Sequence, residues 1–159
     1  MKAIFIDHHG VISNNTFYGD YDKFKEDGLL FSKTNLRNIQ KLKYHINKTT
    51  KGDVCIISSS SLLLSKRESL AKTYNTLHLN YIKIPELNID KLNEDMMRDS
   101  IIKHIINIYN IVDYLIIDDY KELYSKYDID NRLILTDNTI GFDKKSLYKV
   151  KELIKELKW

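Results

Sequence analysis

The chain has 159 residues, which suits one domain with a buried core, and its 43% hydrophobic and 30% charged residues argue against general disorder. A formal net charge of +3 is compatible with a phosphorylated ligand but far below that of a dedicated nucleic-acid binder. The only cysteine, Cys55, lies in an apolar run, which argues against a disulfide or a cysteine zinc site and predicts a reduced, cytoplasmic protein. No apolar stretch approaches membrane-spanning length and no signal-peptide pattern opens the sequence, so we expect no membrane partner.

The first predicted element is a strand at residues 3–6, an uninterrupted apolar run typical of a strand buried on both faces. It places Asp7 at its carboxyl end, the edge at which open α/β sheets bind ligands. Gly10 follows directly and permits a sharp turn that brings backbone amides close to a bound anion. A carboxylate in this position can act as a nucleophile or as a metal ligand.

Residues 13 to about 32 lack clean periodicity and are rich in Asn, Asp and Gly, which predicts a long loop or a small flap beside that edge. Its aromatic residues have two open interpretations: they stack on a ligand, or they fasten the flap to the body. These residues are Tyr18, Tyr21, Phe24 and Phe31.

A helix capped by Thr34 and a second buried strand at residues 54–57 come next, followed by four serines. Ser58 and Ser59 are candidate substrate-binding residues, because hydroxyls between a strand and a helix can donate to phosphate oxygens. A serine run alone is more often a helix cap, but its position after a buried strand favours the functional interpretation. A single helix carrying Leu63, Leu64, Leu70 and Tyr74 is expected to follow.

The second half alternates strands and helices. Residues 80–84 predict a third strand, Asp90 opens a long helix, and residues 114–117 predict a fourth strand that ends in Asp118 and Asp119. Two adjacent acids there offer oxygen ligands for a hard cation such as Mg²⁺, although an isolated pair is more often part of a turn. A last strand at residues 132–135 and a helix from Lys144 complete a predicted α/β, three-layer, Rossmann-like single domain with a central parallel sheet of about five strands.

Together, Asp7, Ser58, a basic residue in the long helix and the Asp118-Asp119 pair resemble the four motifs of the haloacid dehalogenase (HAD) superfamily, in the family order. The resemblance covers nearly the whole chain and implies a small member with a minimal cap at the flap. Gly141-Phe142-Asp143 loosely resembles the ending of HAD domains in RNA-repair proteins.

The resemblance also implies roles for the motif residues. Asp7 would be the nucleophile, Ser58 would contact the phosphoryl group, and Arg98 or Lys103 would balance its charge. Mg²⁺ would be held by Asp7, the backbone carbonyl of His9, and Asp118 or Asp119.

His9 stands where the family has a second Asp that serves as general acid and base. Imidazole exchanges protons near neutral pH, so His9 can take over this role in a phosphohydrolase. The alternative is a catalytically weakened domain that binds a phosphorylated ligand in a regulatory role. Expected ligands are a phosphorylated small molecule, a nucleotide or a nucleic-acid end.

Two other families share pieces of this pattern. Asp-His-His-Gly at residues 7–10 is similar to the motif of the DHH phosphoesterases, but those proteins have earlier acidic motifs, which only six residues here cannot supply. Response-regulator receiver domains place an acid pair after the first strand and the phosphorylated Asp after the third. The order in this chain favours the HAD pattern.

Overall fold

The computed structural model describes residues 1–14, 23–50, 52–87, 98–124 and 132–159. The described strands, numbered along the chain, are β1 (Lys2–Ile6), β2 (Lys23–Glu26), β3 (Leu29–Ser32), β4 (Val54–Ser58), β5 (Ile82–Lys83), β6 (Asp113–Asp118) and β7 (Leu133–Leu135). The described α-helices are α1 (Lys33–Thr49), α2 (Leu62–Ser65), α3 (Arg67–Thr76), α4 (Arg98–Tyr109) and α5 (Lys144–Glu156), and a 3₁₀ turn spans Lys121–Tyr124.

The central sheet has five parallel strands in the order β5-β4-β1-β6-β7 and is flanked by helices. The predicted α/β class, with its parallel sheet of about five strands, is confirmed, and the arrangement is Rossmann-like. The strand order reverses between β1 and β6, because the chain adds β4 and β5 on one side of β1 before it adds β6 and β7 on the other. Ligands bind at such a switch point in open α/β sheets.

Strand β1 occupies the middle of the sheet because its residues 3–6 are apolar and completely buried. Its last residue, Ile6, pairs with Ser58 of β4 and with Ile117 of β6. The carboxyl ends of the three strands are therefore aligned, and the residues that follow them lie side by side.

Two local predictions need correction, and a third is not tested. Helix α1 is capped by Ser32, whose Oγ accepts a hydrogen bond from the backbone N–H of Asn35 at 3.3 Å, and not by Thr34. The single helix expected after the serines is two helices, α2 and α3, separated by Lys66, and Leu64 of α2 is exposed. The predicted start of the long helix at Asp90 lies outside the described residues.

The segment predicted as a loop or flap contains an antiparallel hairpin, β2-β3, in its second half. Asp27 and Gly28 form its two-residue turn, both with positive φ, the backbone geometry that suits a tight hairpin. Phe31 is fully buried and Phe24 stacks on it at 5.5 Å between ring centroids, so these two aromatic residues fasten the hairpin to the body. Tyr18 and Tyr21 lie outside the described residues.

His8 is the buried residue that joins the hairpin to the sheet. Its Nε2 donates to the backbone carbonyl of Leu30 at 3.0 Å, its Nδ1 lies 3.3 Å from the Tyr74 hydroxyl, and its ring packs against Phe31. Burial, with a smaller contribution from the neighbouring His9, lowers the pKa of His8 to about 4. The imidazole of His8 is therefore neutral in the folded protein at neutral pH.

Helices α1 and α5 pack against each other beside the sheet. Asn38 of α1 donates through Nδ2 to the carbonyl of Phe142 at 3.0 Å, and Asp143 caps α5 by accepting from the N–H of Ser146 at 2.8 Å. Among the described residues, no helix combines the length and the apolar content needed to cross a bilayer.

The buried His8 predicts a specific loss of stability in acid. Because the unfolded imidazole titrates near 6.5 and the folded one near 4, the unfolded state binds more protons between these values, and stability falls as pH falls through this window. Between pH 7 and pH 4, the free energy of unfolding of the His8→Gln variant, which has no such group, should fall by about 3 kcal/mol less than that of the parent, as measured by urea denaturation.

The exposed His78 provides the control. We expect the His78→Gln variant to keep the acid sensitivity of the parent, because the side chain of His78 is exposed. Equal acid sensitivity in the parent and the His8→Gln variant would contradict the neutral, buried assignment.

Candidate functional site

Three carboxylates meet at the switch point of the sheet. Asp7 directly follows β1, Asp118 ends β6, and Asp119 comes next; one oxygen from each lies within 4.8 Å of those of the others. The N–H of Asp7 donates to the carbonyl of Ile117 at 3.1 Å, which fixes the two strand ends next to each other. Asp7 and Asp118 are buried and Asp119 is half-buried. The sequence-predicted acids are therefore brought together.

Arg98, the first residue described in α4, is the cation of this cluster. Its Nη1 lies 2.6 Å from Oδ2 of Asp7 and 2.8 Å from Oδ2 of Asp118. Burial disfavours the charge of Arg98, but the two carboxylates outweigh that effect and raise its pKa. One guanidinium faces three carboxyl groups, so two negative charges are left without a matching cation when all three are ionised.

Asp118 shows the effect of this imbalance. Its Oδ2 accepts from the Tyr124 hydroxyl at 2.6 Å and its Oδ1 accepts from the N–H of Tyr120 at 3.0 Å, and both bonds favour the carboxylate. Burial nevertheless raises the pKa of Asp118 to about 7, with a further contribution from the charge of Asp7. Burial and Asp7 also raise the pKa of Asp119. The cluster thus resists complete ionisation.

The donor set fits a hard divalent cation. Oδ1 of Asp7 has no hydrogen-bond partner among the described residues, although it is buried, and such an atom needs a proton donor or a metal to offset its desolvation. Carboxylate oxygens are the ligands that Mg²⁺ prefers, and a charge of 2+ equals the uncompensated charge. The residues that would hold it are Asp7, Asp118 and Asp119.

Two serines lie beside the carboxylates with free hydroxyls. Ser58 ends β4 opposite Ile6, and the N–H of Ser59 donates to the carbonyl of Ile6 at 2.9 Å. The Oγ atoms of both serines are buried and have no hydrogen-bond partner among the described residues. Of the neighbouring serines, Ser60 accepts through Oγ from the N–H of Leu62 at 3.4 Å, and Ser61, the N-cap of α2, makes no side-chain cap hydrogen bond within the described part of the chain. Ser58 and Ser59 can therefore donate to an anion placed next to Asp7.

The turn after β1, His8–Ile12, is shaped by Gly10. This glycine has a φ of +68°, and a Cβ at this position would overlap the side chain of Asp119. The carbonyl of Gly10 accepts from Thr136 Oγ1 at 2.8 Å. Gly10 therefore leaves room for Asp119 to approach the end of the first strand. The contact between the backbone near Gly10 and a bound anion stays a prediction from the sequence.

His9 and Lys103 are placed differently from the other candidates. The side chain of His9 is exposed, with its ring centroid 5.3 Å from that of His8, and it takes no part in the carboxylate cluster. Lys103 is exposed and lies more than one helical turn beyond Arg98. Of the two basic candidates, it is Arg98 that contacts the carboxylates.

Sequence reasoning missed Tyr124, Thr136 and His8. Tyr124 is one of eleven tyrosines, and nothing in the sequence separates it from the others. Thr136 and His8 act through contacts with residues far away in the chain. The serine and acid positions were found because they follow buried apolar strands.

Arg98 also affects the shape of the surface. Cavities of about 430, 480 and 320 Å³ open on the described part of the chain, and none has Asp7, Asp118 or Asp119 in its lining. The guanidinium occupies the space between the two buried carboxylates. A ligand that binds the carboxylates must therefore contact Arg98 or displace it from Asp7 or Asp118.

Comparisons of the chain with protein-family models, curated proteins and solved structures find no match. The fold and the site alone define the class: a parallel α/β protein with a buried acidic cluster at the switch point of its sheet.

The charge balance predicts that Arg98→Met destabilises the protein by about 3 kcal/mol, because buried carboxylates lose their cation. The loss should be larger at pH 8 than at pH 6. A carboxyl with a raised pKa, such as that of Asp118, holds its proton in the folded state between about pH 4 and about pH 7. The free energy of unfolding therefore falls as the pH rises through this range. Loss of the Arg98 cation favours the protonated carboxyl further and extends this fall to higher pH.

Urea denaturation of the parent and variants at both pH values checks this expectation. The control is Lys103→Met, the same change of charge on the same helix, which should alter stability by less than about 0.5 kcal/mol. Mg²⁺ should restore part of the stability lost in the Arg98 variant. Similar losses in both variants would contradict the described cluster.

Proposed function

We propose that this chain is a Mg²⁺-dependent phosphohydrolase of the HAD type, acting through an aspartyl-phosphate. The observation that carries the proposal is the convergence of Asp7, Asp118 and Asp119 at the switch point with the hydroxyls of Ser58 and Ser59, which have no hydrogen-bond partner in the described part of the chain. Carboxylates for a metal and donors for an anion stand together at the edge where such sheets bind ligands. The strand order and the hairpin after β1 support the HAD-type assignment.

Each residue has a chemical role in this proposal. An oxygen of Asp7 attacks phosphorus, and the P–O bond to the leaving group breaks. The exposed imidazole of His9 gives a proton to the leaving oxygen. A water then attacks phosphorus, its proton passes to His9, and the P–O bond to Asp7 breaks to release phosphate. His9 is therefore protonated again and Asp7 is free at the start of the next cycle.

The other groups bind and balance charge. Ser58 and Ser59 donate to phosphoryl oxygens, and Arg98, freed from one of its carboxylates, adds positive charge near them. Bound Mg²⁺ would supply Lewis-acid stabilisation of the phosphoryl charge. The substrate class is a phosphorylated small molecule, a nucleotide or a nucleic-acid end.

Asp7→Asn tests the nucleophile. Because an amide oxygen is a poor nucleophile and a weaker metal ligand, we expect at least about a thousandfold loss of kcat for an aryl phosphate with Mg²⁺ present. The matched control is Asp53→Asn, the same change at an exposed residue before β4, at the other end of the sheet. Circular dichroism and thermal melting establish that both variants fold. Equal rates in the Asp7 variant and the parent would refute the proposal.

A second function has specific support: a domain that binds a phosphorylated ligand without hydrolysing it. Arg98 contacts both buried carboxylates, and a histidine occupies the position of the general acid. Such a domain would bind phosphate or a phosphate mimic in the presence of Mg²⁺, yet would leave an aryl phosphate intact.

His9→Asp separates the two functions. If the natural protein is an enzyme, the variant should keep turnover within about tenfold and lose the histidine contribution to the pH profile of kcat. If the protein is a binding domain, the variant should gain turnover that the parent lacks. Measurements of aryl phosphate hydrolysis from pH 5 to 9, with calorimetric binding of phosphate in parallel, distinguish these results. No turnover and no phosphate binding in either protein would exclude both.

A further inference from the structure

The charge of the molecule is distributed very unevenly. Helix α1 has five basic residues and no acidic one, and α5 has five basic and two acidic residues. The two helices therefore carry a net charge of +8, whereas the whole chain carries +3, which leaves −5 for all other residues. Because α1 and α5 pack against each other, this charge is concentrated in one part of the fold, and we call the outward side of the two helices the basic face.

Exposed and half-buried residues of this face follow the same spacing on both helices. On α1 the pattern is Arg37, Lys41, Tyr44 and Lys48, and on α5 it is Lys144, Tyr148, Lys151 and Lys155. The spacings of four, three and four residues place each set along one line of its helix. We call these two sets the α1 stripe and the α5 stripe.

Each stripe also contains one exposed tyrosine, which distinguishes it from a purely basic, solvated surface. Tyr44 is 69% exposed and Tyr148 is 56% exposed, so both rings are accessible to a partner, and tyrosine is enriched at interfaces because it combines an apolar ring with a polar hydroxyl. The Nζ atoms of Lys144 and Lys151 lie 5.9 and 5.8 Å from the ring centroid of Tyr148. Each stripe thus combines cations with one flat aromatic surface.

A cavity of about 430 Å³ lies where the two helices end. It is bordered by His45 and Thr49 of α1 and by Tyr148, Lys151 and Lys155 of α5, with Glu152 as the acidic residue in its lining. Ile154 and Trp159 contribute apolar surface. An aromatic group attached to an anion fits this combination of lysines and apolar walls.

The cavity is far from the carboxylate cluster. Trp159 donates through Nε1 to Asp113, the first residue of β6, and Lys2, the first residue of β1, lies over its ring. These contacts place the cavity at the amino edge of the sheet, opposite Asp7. Phe142, just before α5, bonds to Val11 at the carboxyl edge, so α5 runs between the two edges.

We propose that the α1–α5 face binds single-stranded nucleic acid. Lysine and arginine of the stripes neutralise successive phosphates, and Tyr44 and Tyr148 stack on bases, the combination by which proteins hold single strands without sequence preference. Charge complementarity selects a polyanion, and the exposed rings of Tyr44 and Tyr148 select one that carries aromatic bases. This inference stands without the proposed function, because binding needs neither Mg²⁺ nor turnover.

The test is fluorescence anisotropy with a labelled 20-nucleotide oligothymidine, in EDTA, from 50 to 200 mM NaCl. We expect a Kd of about 10 µM that rises with salt, with a slope of about 0.7 per neutralised phosphate in the logarithmic plot. The combined variant Lys41→Glu, Lys144→Glu, Lys155→Glu should bind at least about tenfold more weakly and lose about 2 from that slope.

The matched control is Lys25→Glu, Lys83→Glu, Lys103→Glu, which changes the net charge equally at exposed lysines outside the face. It should bind within about threefold of the parent, since net charge alone acts through a screened field. Tyr44→Ala and Tyr148→Ala should each weaken binding about tenfold, whereas Tyr120→Ala, at an exposed tyrosine elsewhere, should not.

Several results would overturn the proposal. These are no binding at 50 mM NaCl, equal weakening by both lysine combinations, or unchanged binding by the tyrosine variants. Binding to vesicles of phosphatidylserine and phosphatidylcholine without binding to the oligonucleotide would also overturn it and would assign the face to membranes. Loss of aryl phosphate hydrolysis in Asp7→Asn, with oligonucleotide binding intact, separates this site from the proposed catalytic one.

Discussion

The alignment of three parallel strand ends is the constraint on which the site depends. Ile6 pairs with both Ser58 and Ile117, so the backbone hydrogen bonds of the sheet place Asp7, Ser59 and Asp118 in one row. A strand buried on both faces cannot shift its register without exposing its apolar side chains to water or placing polar ones in the core. The positions of the carboxylates are thus fixed by the same packing that holds the sheet together.

This placement creates an electrostatic conflict that the chain resolves only in part. Arg98 and Tyr124 stabilise the ionised Asp118, yet burial still raises its pKa to about 7. An apolar core would be more stable with fewer acids at its edge, so a cluster that keeps them is typical of a functional site. The unpartnered hydroxyls of Ser58 and Ser59 point to the same conclusion, since buried polar groups without partners are rare.

The sequence was sufficient wherever a residue's role follows from a short local pattern. Apolar runs predicted the central strands, and the residues after them, Asp7, Ser58 and Asp118, form the site because parallel strands end at one edge. The hairpin turn at Asp27-Gly28 also has a local signal, an Asp-Gly pair, which the prediction of a loop or flap did not use. Ser32 and Thr34 are equally good caps by residue type, so propensity alone could not decide between them.

Contacts between distant parts of the chain could not be predicted in this way. The choice of Arg98 over Lys103 depends on where α4 meets the sheet, and the bond from Tyr124 to Asp118 depends on the path of the following turn. His8 shows the same limit most clearly. It is adjacent to the proposed nucleophile within a motif that resembles another family, but in the fold it holds the hairpin.

Net charge is another quantity that needs the fold for its interpretation. A value of +3 for the chain argues against nucleic-acid binding, but helices α1 and α5 together carry +8 and the remaining residues carry −5. The acidic part includes the carboxylate cluster, which repels a phosphate backbone unless a divalent cation is bound. A strand held on α1 and α5 would therefore reach the cluster with a terminal phosphate only in the metal-bound state. The helices span both edges of the sheet, so a polymer bound along the proposed face would run toward the acidic cluster.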